Sequence, residues 1–349
     1  MRILVTGGCG FIGSNFILKQ LLNKENEILN FDKLTYAGNL DNLESITNNT
    51  NYQFIQGDIC DITTVSKTIS NFCPDALINF AAESHVDRSI DDPINFVKTN
   101  ILGTAALLEA STNYFNNLNN RKFKFLHVST DEVYGSLSNH GLFTENSNYD
   151  PSSPYSASKA GSDHLVRAWN RTYDLPTFIT NCSNNYGPYQ FIEKLVPLMI
   201  LNCIDEKPLP IYGEGLNIRD WLYVEDHCDA IMNVLKNGNI GETYNIGGNN
   251  EIRNIDMVTT ICSLLDQLKP RENGKPYNEL ITYVPDRPGH DFRYAIDSSK
   301  IKNGIGWLPK ETFKTGIAKT IKWYLDNESW WRNILDNNYS QDRLGLKKN

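Results

Sequence analysis

Short apolar runs alternate with amphipathic segments along the first half of the chain. The runs at residues 2–6, 27–31, 52–56, 76–80, 123–129 and 177–181 are typical of buried strands, and helical patterns separate most of them at about 11–24, 61–72, 93–114 and 155–173. Strands that alternate with helices predict a parallel sheet covered on both faces. We therefore expect an α/β fold of the doubly wound class.

The pattern changes after about residue 181, where proline, glycine and aromatic residues become frequent and the apolar segments shorten. The stretch 219–246 returns to the first pattern, with a helix predicted from about Val224 and a strand at Thr243–Ile246. We predict a main-sheet domain and a smaller mixed α/β domain that faces the substrate. Their predicted boundaries are 1–183 plus 217–250 and 184–216 plus 251–349.

Composition excludes several classes of function. The 349-residue chain has a net charge of −8, whereas a nucleic-acid surface needs clustered Lys and Arg. No apolar run approaches the roughly 18 residues of a membrane span, and the start MRILVTGG has no signal-peptide architecture. The seven cysteines form no C-x-x-C pair and the histidines do not cluster, so we expect reduced thiols, no metal site and a cytoplasmic location without nucleic-acid or membrane partners.

A glycine-rich loop, TGGCGFIG at residues 6–13, connects the first strand to the first helix. It fits G-x-G-x-x-G, and Asp32 closes the second strand 19 residues after Gly13. Glycines let the backbone approach a pyrophosphate, and the helix N-terminus supplies N–H groups. A carboxylate at that strand end accepts hydrogen bonds from ribose hydroxyls and repels a 2′-phosphate. The sequence therefore predicts a Rossmann domain that binds NAD rather than NADP.

Two further strand ends extend this predicted site. Asp58 follows the third strand and suits an adenine amino group. Phe80-Ala81-Ala82 ends the fourth strand with small residues, where a dinucleotide can pass closely.

Tyr155 and Lys159 begin a predicted helix after Pro154. Their i, i+4 spacing places them on one face, and an ammonium beside a phenol lowers the phenol pKa from about 10. A phenolate can take a proton from a sugar hydroxyl while the carbon below it gives a hydride to NAD. Because a lone Y-x-x-x-K is common by chance, its combination with the glycine loop carries the prediction.

Thr130, Asp131 and Glu132 stand together in STDEVYG, where the fifth strand ends. Neighbouring residues on a strand point to opposite faces, and adjacent carboxylates repel. Elimination of water needs one base and one acid, and two carboxyl groups in unlike environments can divide those roles. A solvated charge pair in a loop is the ordinary alternative.

These motifs resemble the dTDP-glucose 4,6-dehydratases of the extended short-chain dehydrogenase/reductase family. The resemblance runs from TGGCGFIGSNF through NFAAESHVDRSI, STDEVYG, PSSPYSASKAGSDHLVRAW, NCSNNYGPYQFIEKLVP, IRDWLYVEDH and VPDRPGHDFRYAID to the tail DRLGL. It implies a lyase that oxidises the hexose of dTDP-glucose at C4, eliminates water across C5–C6, and returns hydride to C6. Tyr155 would accept the 4-hydroxyl proton with Thr130 beside it. Glu132 would remove the C5 proton, and Asp131 would protonate the leaving 6-hydroxyl.

The resemblance also implies two binding sets. The NAD-binding set comprises Gly7, Gly10, Phe11, Ile12, Gly13, Asp32, Lys33, Leu34, Thr35, Asp58, Ile59, Phe80, Ala81, Ala82, Ser84, Thr99, Tyr155, Lys159 and Asn185. The substrate-binding set comprises Ser84, Thr130, Asn184, Lys194, Leu195, Pro210, Ile211, Tyr212, Arg219, Asn254, Asp286, Arg287, Pro288, Gly289 and His290. Lys194 and Arg219 would supply cations for the pyrophosphate.

Two residues depart from the family pattern. Phe292 stands in HDFRY where the family usually has Arg, and Cys9 stands in the glycine loop where Ala is common. The first affects the expected detail of nucleotide contact, and the second could slow cofactor entry slightly.

Three other functions stay open. UDP-glucose differs from dTDP-glucose at the base by one methyl, worth only about 1–3 kcal/mol of discrimination. A nucleotide-sugar 4-epimerase would share the glycine loop and Y-x-x-x-K but needs no acid–base pair. A non-catalytic NAD sensor should lack Tyr155 or Lys159. The resemblance further implies a homodimer through helices 93–114 and 155–173, while the deoxysugar pathway served, rhamnose or another, is left open.

Overall fold

The protein is described here by a computed structural model, which covers residues 1–119, 122–286 and 288–338. Its strands are β1 (Arg2–Thr6), β2 (Glu27–Asp32), β3 (Tyr52–Gln56), β4 (Ala76–Asn79), β5 (Lys124–Thr130), β6 (Thr177–Cys182), β7 (Asn184–Tyr186), β8 (Leu209–Tyr212), β9 (Ile218–Tyr223), β10 (Thr243–Ile246), β11 (Glu251–Arg253) and β12 (Ile281–Val284).

The helices are α1 (Phe11–Gln20), α2 (Ile62–Phe72), α3 (Val86–Asp91), α4 (Pro93–Phe96), α5 (Thr104–Asn116), α6 (Pro154–Tyr173), α7 (Leu195–Ile204), α8 (Val224–Asn237), α9 (Asn254–Leu268), α10 (Ser299–Ile305), α11 (Phe313–Asp326) and α12 (Glu328–Asn338). A π-helical segment, Val97–Gly103, joins α4 to α5, and Asp131–Tyr134 forms a 3₁₀ turn. No helix in the described ranges is long and apolar enough to cross a bilayer.

Seven parallel strands form the central sheet in the order β10-β6-β5-β4-β1-β2-β3. The chain moves outward from β1 to β3, then crosses to β4 on the other side of β1. This reversal puts a crevice beyond the carboxyl ends of β1 and β4, where ligands bind in doubly wound folds. The predicted α/β class is therefore confirmed, and so is the return of residues 243–246 to the main sheet.

The predicted elements match the observed ones closely, with differences at helix ends. The first helix ends at Gln20 rather than about residue 24, because the segment that follows turns back into β2. The pattern predicted over 93–114 contains the π-helical segment, which places Thr99 and Asn100 near the fourth strand end. Single-turn π segments often occur at functional sites.

Apolar side chains pack against both faces of the large sheet, and a separate core lies in the later part of the chain. Phe16, Ile78 and Ile231 belong to the core on one face, and Leu77, Leu107 and Phe125 to the core on the other. The separate core surrounds Trp221, Ile261 and Trp331 and is built mainly from residues after 186. Two small sheets, β11-β9-β7 and β12-β8, belong to this later part of the chain. The domain boundaries given above stay a prediction.

Candidate active site

The glycine loop lies at the crevice because larger side chains do not fit there. Gly7 has φ +71°, and a Cβ on it would come within 2.5 Å of the Ala81 backbone nitrogen. A Cβ on Gly13 would come within 2.3 Å of the Gly7 carbonyl oxygen. The loop therefore packs β1, β4 and α1 closely and leaves an open cradle at the helix N-terminus, as a bound pyrophosphate requires.

Asp32 is fixed at the end of β2 by two backbone donors. The Cys9 and Leu34 N–H groups donate to its Oδ2 and Oδ1 at 2.9 and 2.8 Å. Burial raises the pKa of Asp32, and these two hydrogen bonds oppose that rise. Beside it, the Lys33 ammonium and the Asp58 carboxylate form a salt bridge of 2.8 Å. The acidic residue and the glycine cradle together fit the adenosine half of NAD.

One cleft collects most of the predicted catalytic and cofactor residues. Its lining includes Gly7, Gly10, Phe11, Ile12, Gly13, Asp32, Lys33, Thr35, Asp58, Ile59, Phe80, Ala81, Ala82, Ser84, Thr99, Thr130, Glu132, Tyr155, Lys159, Asn184, Asn185 and Lys194. Leu34, Asp131 and Leu195 are not part of this lining. Leu34 instead supplies the backbone N–H to Asp32, in a left-handed conformation with φ +58°.

The two adjacent carboxyl groups occupy different environments. Thr130 ends β5 and accepts a hydrogen bond from the Glu132 N–H at 3.3 Å, which starts the 3₁₀ turn. The turn lets Glu132 line the cleft, while Asp131 is only 1% exposed. Burial, then the Glu132 and Asp220 charges, raises the pKa of Asp131 well above its usual range. Asp131 Oδ2 has no hydrogen-bond partner among the described residues. This environment favours a protonated Asp131 beside a cleft-facing Glu132.

Tyr155 and Lys159 reach the cleft from the first turns of α6. Ser153 caps this helix in a capping box, and Pro154 occupies its first turn, so the helix start is well fixed. The Lys159 Nζ donates to the Val128 carbonyl at 2.8 Å, and burial lowers the Lys159 pKa to about 8. Burial and the Glu132 charge raise the pKa of Tyr155, and its hydrogen bond with Thr130 opposes that rise. The net direction for Tyr155 is therefore the opposite of the one predicted from the Y-x-x-x-K spacing alone.

The remaining predicted substrate residues form a second group beside the cleft. The Tyr212 ring packs edge-on against His290, whose Nδ1 lies 2.6 Å from Asp286 Oδ1. Arg219 is 5% exposed and donates to the Asp291 and Ile218 carbonyls at 2.9 and 2.8 Å. Also in this part of the chain are Pro210 and Ile211 on β8, Asn254 at the start of α9, and Pro288 and Gly289 in the loop before His290. Arg287 and the tail DRLGL lie outside the described residues.

Two predicted binding residues carry orphaned polar atoms. Oδ1 of Asn184 and Oδ1 of Asn254 are buried without a hydrogen-bond partner in the described part of the chain. Buried polar groups are normally paired, so such atoms call for a ligand or an ordered water. Lys194, by contrast, already donates to the Ser84 carbonyl at 2.9 Å, and so ties two predicted substrate residues together.

Sequence reasoning missed several polar residues around the cleft. Glu83 and Glu193 line it, and Arg88 donates from Nε and Nη2 to Glu193 at 2.9 Å each. The Arg88 guanidinium also stacks on Tyr36 at 3.8 Å from the ring centroid. Asn100 pairs with the Glu83 backbone and so anchors this loop. The sequence offered one indication of Glu83 and Glu193: each directly precedes a predicted substrate residue, Ser84 or Lys194.

The two departures from the family pattern leave the cleft intact. Cys9 is fully buried, and its thiol accepts a hydrogen bond from the Asn30 amide at 3.2 Å. Phe292 is 40% exposed, and its backbone carbonyl accepts hydrogen bonds from Arg219 and Ile218. The hydrogen bonds of Phe292 are therefore made by its backbone, and its side chain stays partly exposed.

A matching family model, a sequence relative and two solved structures indicate nucleotide-sugar dehydratases. The model of the GDP-mannose 4,6 dehydratase family matches residues 4–320. A dTDP-glucose 4,6-dehydratase of Neisseria meningitidis serogroup B is 56% identical over 353 residues, covering 99% of both chains. The crystal structure of the Bacillus anthracis dTDP-glucose 4,6-dehydratase in complex with NAD gives a TM-score of 0.86 at 47% identity, covering 96% of this chain and 99% of that one.

A second structure, the NAD-bound dTDP-glucose 4,6-dehydratase of Streptomyces venezuelae, gives a TM-score of 0.88 at 43% identity, with 96% and 100% coverage. These matches confirm the resemblance predicted from the motifs. The chain belongs to the GDP-mannose 4,6 dehydratase family.

Proposed function

We propose that the protein dehydrates dTDP-glucose to dTDP-4-keto-6-deoxyglucose with NAD as its regenerated cofactor. The observation that carries this proposal is one cleft that holds the glycine cradle and Asp32 at one end and Thr130, Glu132, Tyr155 and Lys159 at the other. Several dTDP-glucose 4,6-dehydratases match nearly the whole chain, and two of them have NAD bound in their crystal structures.

The base for the first step is Tyr155, which takes the proton of the sugar 4-hydroxyl. Bound NAD supplies the hydride acceptor for C4 and the hydride that C6 later receives. Because burial raises the pKa of Tyr155, ionisation of the phenol depends on nearby positive charge, and Lys159, one helical turn further along α6, lines the same cleft. Thr130, hydrogen-bonded to Tyr155, positions the 4-hydroxyl beside the base.

The second step uses the two unlike carboxyl groups. A ketone at C4 acidifies the C5 hydrogen, and Glu132, which lines the cleft, removes it. Burial and the Glu132 charge raise the pKa of Asp131, which favours the protonated acid, and this acid is the group assigned to protonate the departing 6-hydroxyl. General acid–base catalysis of this kind contributes roughly 10²–10⁴-fold in rate.

The nucleotide is assigned to the second group of residues together with Asn184 and Lys194 of the cleft lining. The orphaned Asn184 and Asn254 oxygens, Lys194 and Arg219 supply polar contacts, and Tyr212 offers a ring for the base. We infer that the domain of residues 184–216 plus 251–349 carries most of these contacts. Cytoplasmic location stays a prediction that rests on the reduced-thiol pattern of the sequence.

The direct test is incubation with dTDP-glucose in water enriched in deuterium. We expect a product lighter by one water that carries solvent hydrogen at C5, because the mechanism exchanges that position. UDP-glucose is run in parallel and should turn over more slowly. An epimerised sugar of unchanged mass would refute the dehydratase assignment, and equal or faster use of UDP-glucose would refute the preference for dTDP.

The homodimer is a further part of the proposal. Ile94 and Leu102 are 74% and 59% exposed along the α4–α5 helical unit, next to the exposed Ala157 of α6. Such apolar exposure on adjacent helices fits a helical interface. Gly161, however, faces Ile101 within the same chain, since a Cβ there would come within 2.9 Å of Ile101 Cδ1. Close packing of these two helices inside one subunit therefore accounts for Gly161.

Leu102→Glu tests this surface. A carboxylate in a packed apolar interface is costly to desolvate, so we expect the dimer dissociation constant to rise at least ~100-fold. Light scattering after gel filtration measures the mass at several concentrations. Leu22→Glu is the matched control, because Leu22 is 83% exposed after α1, on another surface. A monomeric wild type, or a Leu102→Glu variant that dimerises like the control, would contradict the proposed interface.

A further inference from the structure

A buried polar chain lies behind Lys159, on the side of α6 that faces the sheet. Tyr155, Lys159 and Asp163 recur at i, i+4 and i+8, so they share one helix face. Lys159 is 3% exposed and Asp163 is fully buried. The mechanism above uses the first two of these residues and gives no role to the third.

His127 lies between Lys159 and Asp163, with its Nε2 3.3 Å from the Lys159 Nζ and 3.6 Å from the Asp163 Oδ1, but it is unsuited to compensate the ammonium. Thr6 donates to the Asn79 side-chain oxygen at 2.6 Å, which turns the Asn79 amide nitrogen toward His127 Nδ1 at 3.1 Å. Since that amide donates, Nδ1 accepts, and the proton of the neutral ring is on Nε2. Burial and Lys159 both lower the pKa of His127, which keeps the ring neutral. An Nε2–H, 3.3 Å from the Lys159 Nζ, cannot accept from it.

Asp163 is held as an acceptor from the opposite side. The Tyr149 hydroxyl lies 2.8 Å from Asp163 Oδ2. The same hydroxyl oxygen accepts hydrogen bonds from Arg167 Nη2 at 2.6 Å and from Asn181 Nδ2 at 3.2 Å. Guanidinium and amide nitrogens only donate, so the hydroxyl hydrogen of Tyr149 points to Asp163. Burial raises the pKa of Asp163, and Lys159, Ser129, Tyr149 and Arg167 oppose that rise.

We propose that Asp163 is a positioning residue of the dehydration reaction, whose carboxylate is the counter-charge that keeps Lys159 protonated and thereby keeps Tyr155 available as a base. The inference rests on the proposed function, because it acts through the two residues assigned to the first step. Tyr149 and Arg167 hold the carboxylate in place.

The other groups facing Lys159 do not take this role. His127 on β5 is neutral and presents a donor, and burial raises the pKa of the Cys182 thiol on β6 to about 12. Glu132 and Asp131 interact with Tyr155, at the cleft end of the same face. Burial lowers the pKa of Lys159 to about 8, and Asp163 is the main charge opposing that fall. Asp163, on the other side of His127 from Lys159, is therefore the carboxyl group placed to keep Lys159 charged near neutral pH.

Asp163→Asn tests the proposal in the NAD-containing protein. Without the carboxylate, the Lys159 ammonium loses its proton at lower pH. We expect the alkaline limb of kcat for dehydration to move down by about one pH unit or more, with kcat at about pH 8 falling roughly tenfold. KM for dTDP-glucose and the NAD content should stay unchanged. A buried packing role alone would lower activity without moving the limb.

Ser162→Ala is the matched control, because Ser162 is buried one residue away, contacts His127 and carries no charge. Its alkaline limb should coincide with that of the wild type. If Asp163→Asn does not fold, Tyr149→Phe must give a shift in the same direction, since it removes the donor that favours the Asp163 carboxylate. An unshifted limb in the folded variant overturns this inference alone. A wild-type protein that does not dehydrate dTDP-glucose overturns the proposed function first.

Discussion

Replacing Tyr155 by phenylalanine is expected to abolish turnover, with kcat for dTDP-glucose falling by about 10³-fold or more. The variant lacks the oxygen that accepts the 4-hydroxyl proton, so oxidation at C4 fails and every later step fails with it. The fold should persist, because the phenylalanine ring fills the space in which Tyr155 is 9% exposed. It also keeps the edge-on contact with Phe96, which does not use the hydroxyl. Stopped-flow absorbance at the NADH band, together with mass spectrometry of the sugar, measures both steps.

The expected signature is the loss of NADH formation and of C5 exchange together. Tyr173→Phe is a suitable control, because Tyr173 is 48% exposed at the far end of the same helix. NAD content, measured after denaturing the protein, separates a chemical defect from loss of cofactor. Should Tyr155→Phe still reduce NAD at the wild-type rate, another group must be the base and the assignment of α6 to the first step is wrong.

Glu132→Gln is expected to stop the reaction at its second step, with dehydration falling by about 10²–10⁴-fold. The amide cannot remove the C5 proton, but Tyr155 and Lys159 are unchanged and C4 oxidation should continue. NADH should therefore accumulate on mixing with dTDP-glucose, while solvent deuterium does not enter C5. Burst absorbance and mass spectrometry of the recovered sugar measure these two results.

Asp131→Asn provides the informative comparison for this variant. It removes the acid but leaves the base, so C5 exchange should continue while loss of water slows. The exposed Glu225→Gln in the first turn of α8 controls for a general loss of acidic charge. Normal C5 exchange in Glu132→Gln, or equal defects in both steps for Asp131→Asn, would show that the two carboxyl roles are assigned wrongly.

The sheet and its cofactor cradle were readable from local patterns. Apolar strand runs, the glycine loop and Asp32 depend on the period of the chain and on short-range geometry, so their positions matched the structure within a few residues. Gly7 illustrates the reason: its positive φ follows from a strand that turns directly into the loop before a helix.

Charge environments were not readable in the same way. The Tyr155–Lys159 spacing predicted a lowered phenol pKa, yet burial and Glu132 raise it, because desolvation depends on every element packed around the hydroxyl. The His127 Nε2 lies 3.3 Å from the Lys159 Nζ, through a contact between β5 and α6 that no local motif encodes.

The sequence by itself determined the class of sheet, the glycine loop, the shared helix face of Tyr155 and Lys159 and the adjacency of Asp131 and Glu132, because each depends on residues close together in the chain. Only the tertiary structure decided that Glu132 faces the cleft while Asp131 is buried, and that Asp163 lies behind Lys159. Those outcomes depend on which distant strands and helices exclude water from each group, and burial of that kind has no signature in a short stretch of sequence.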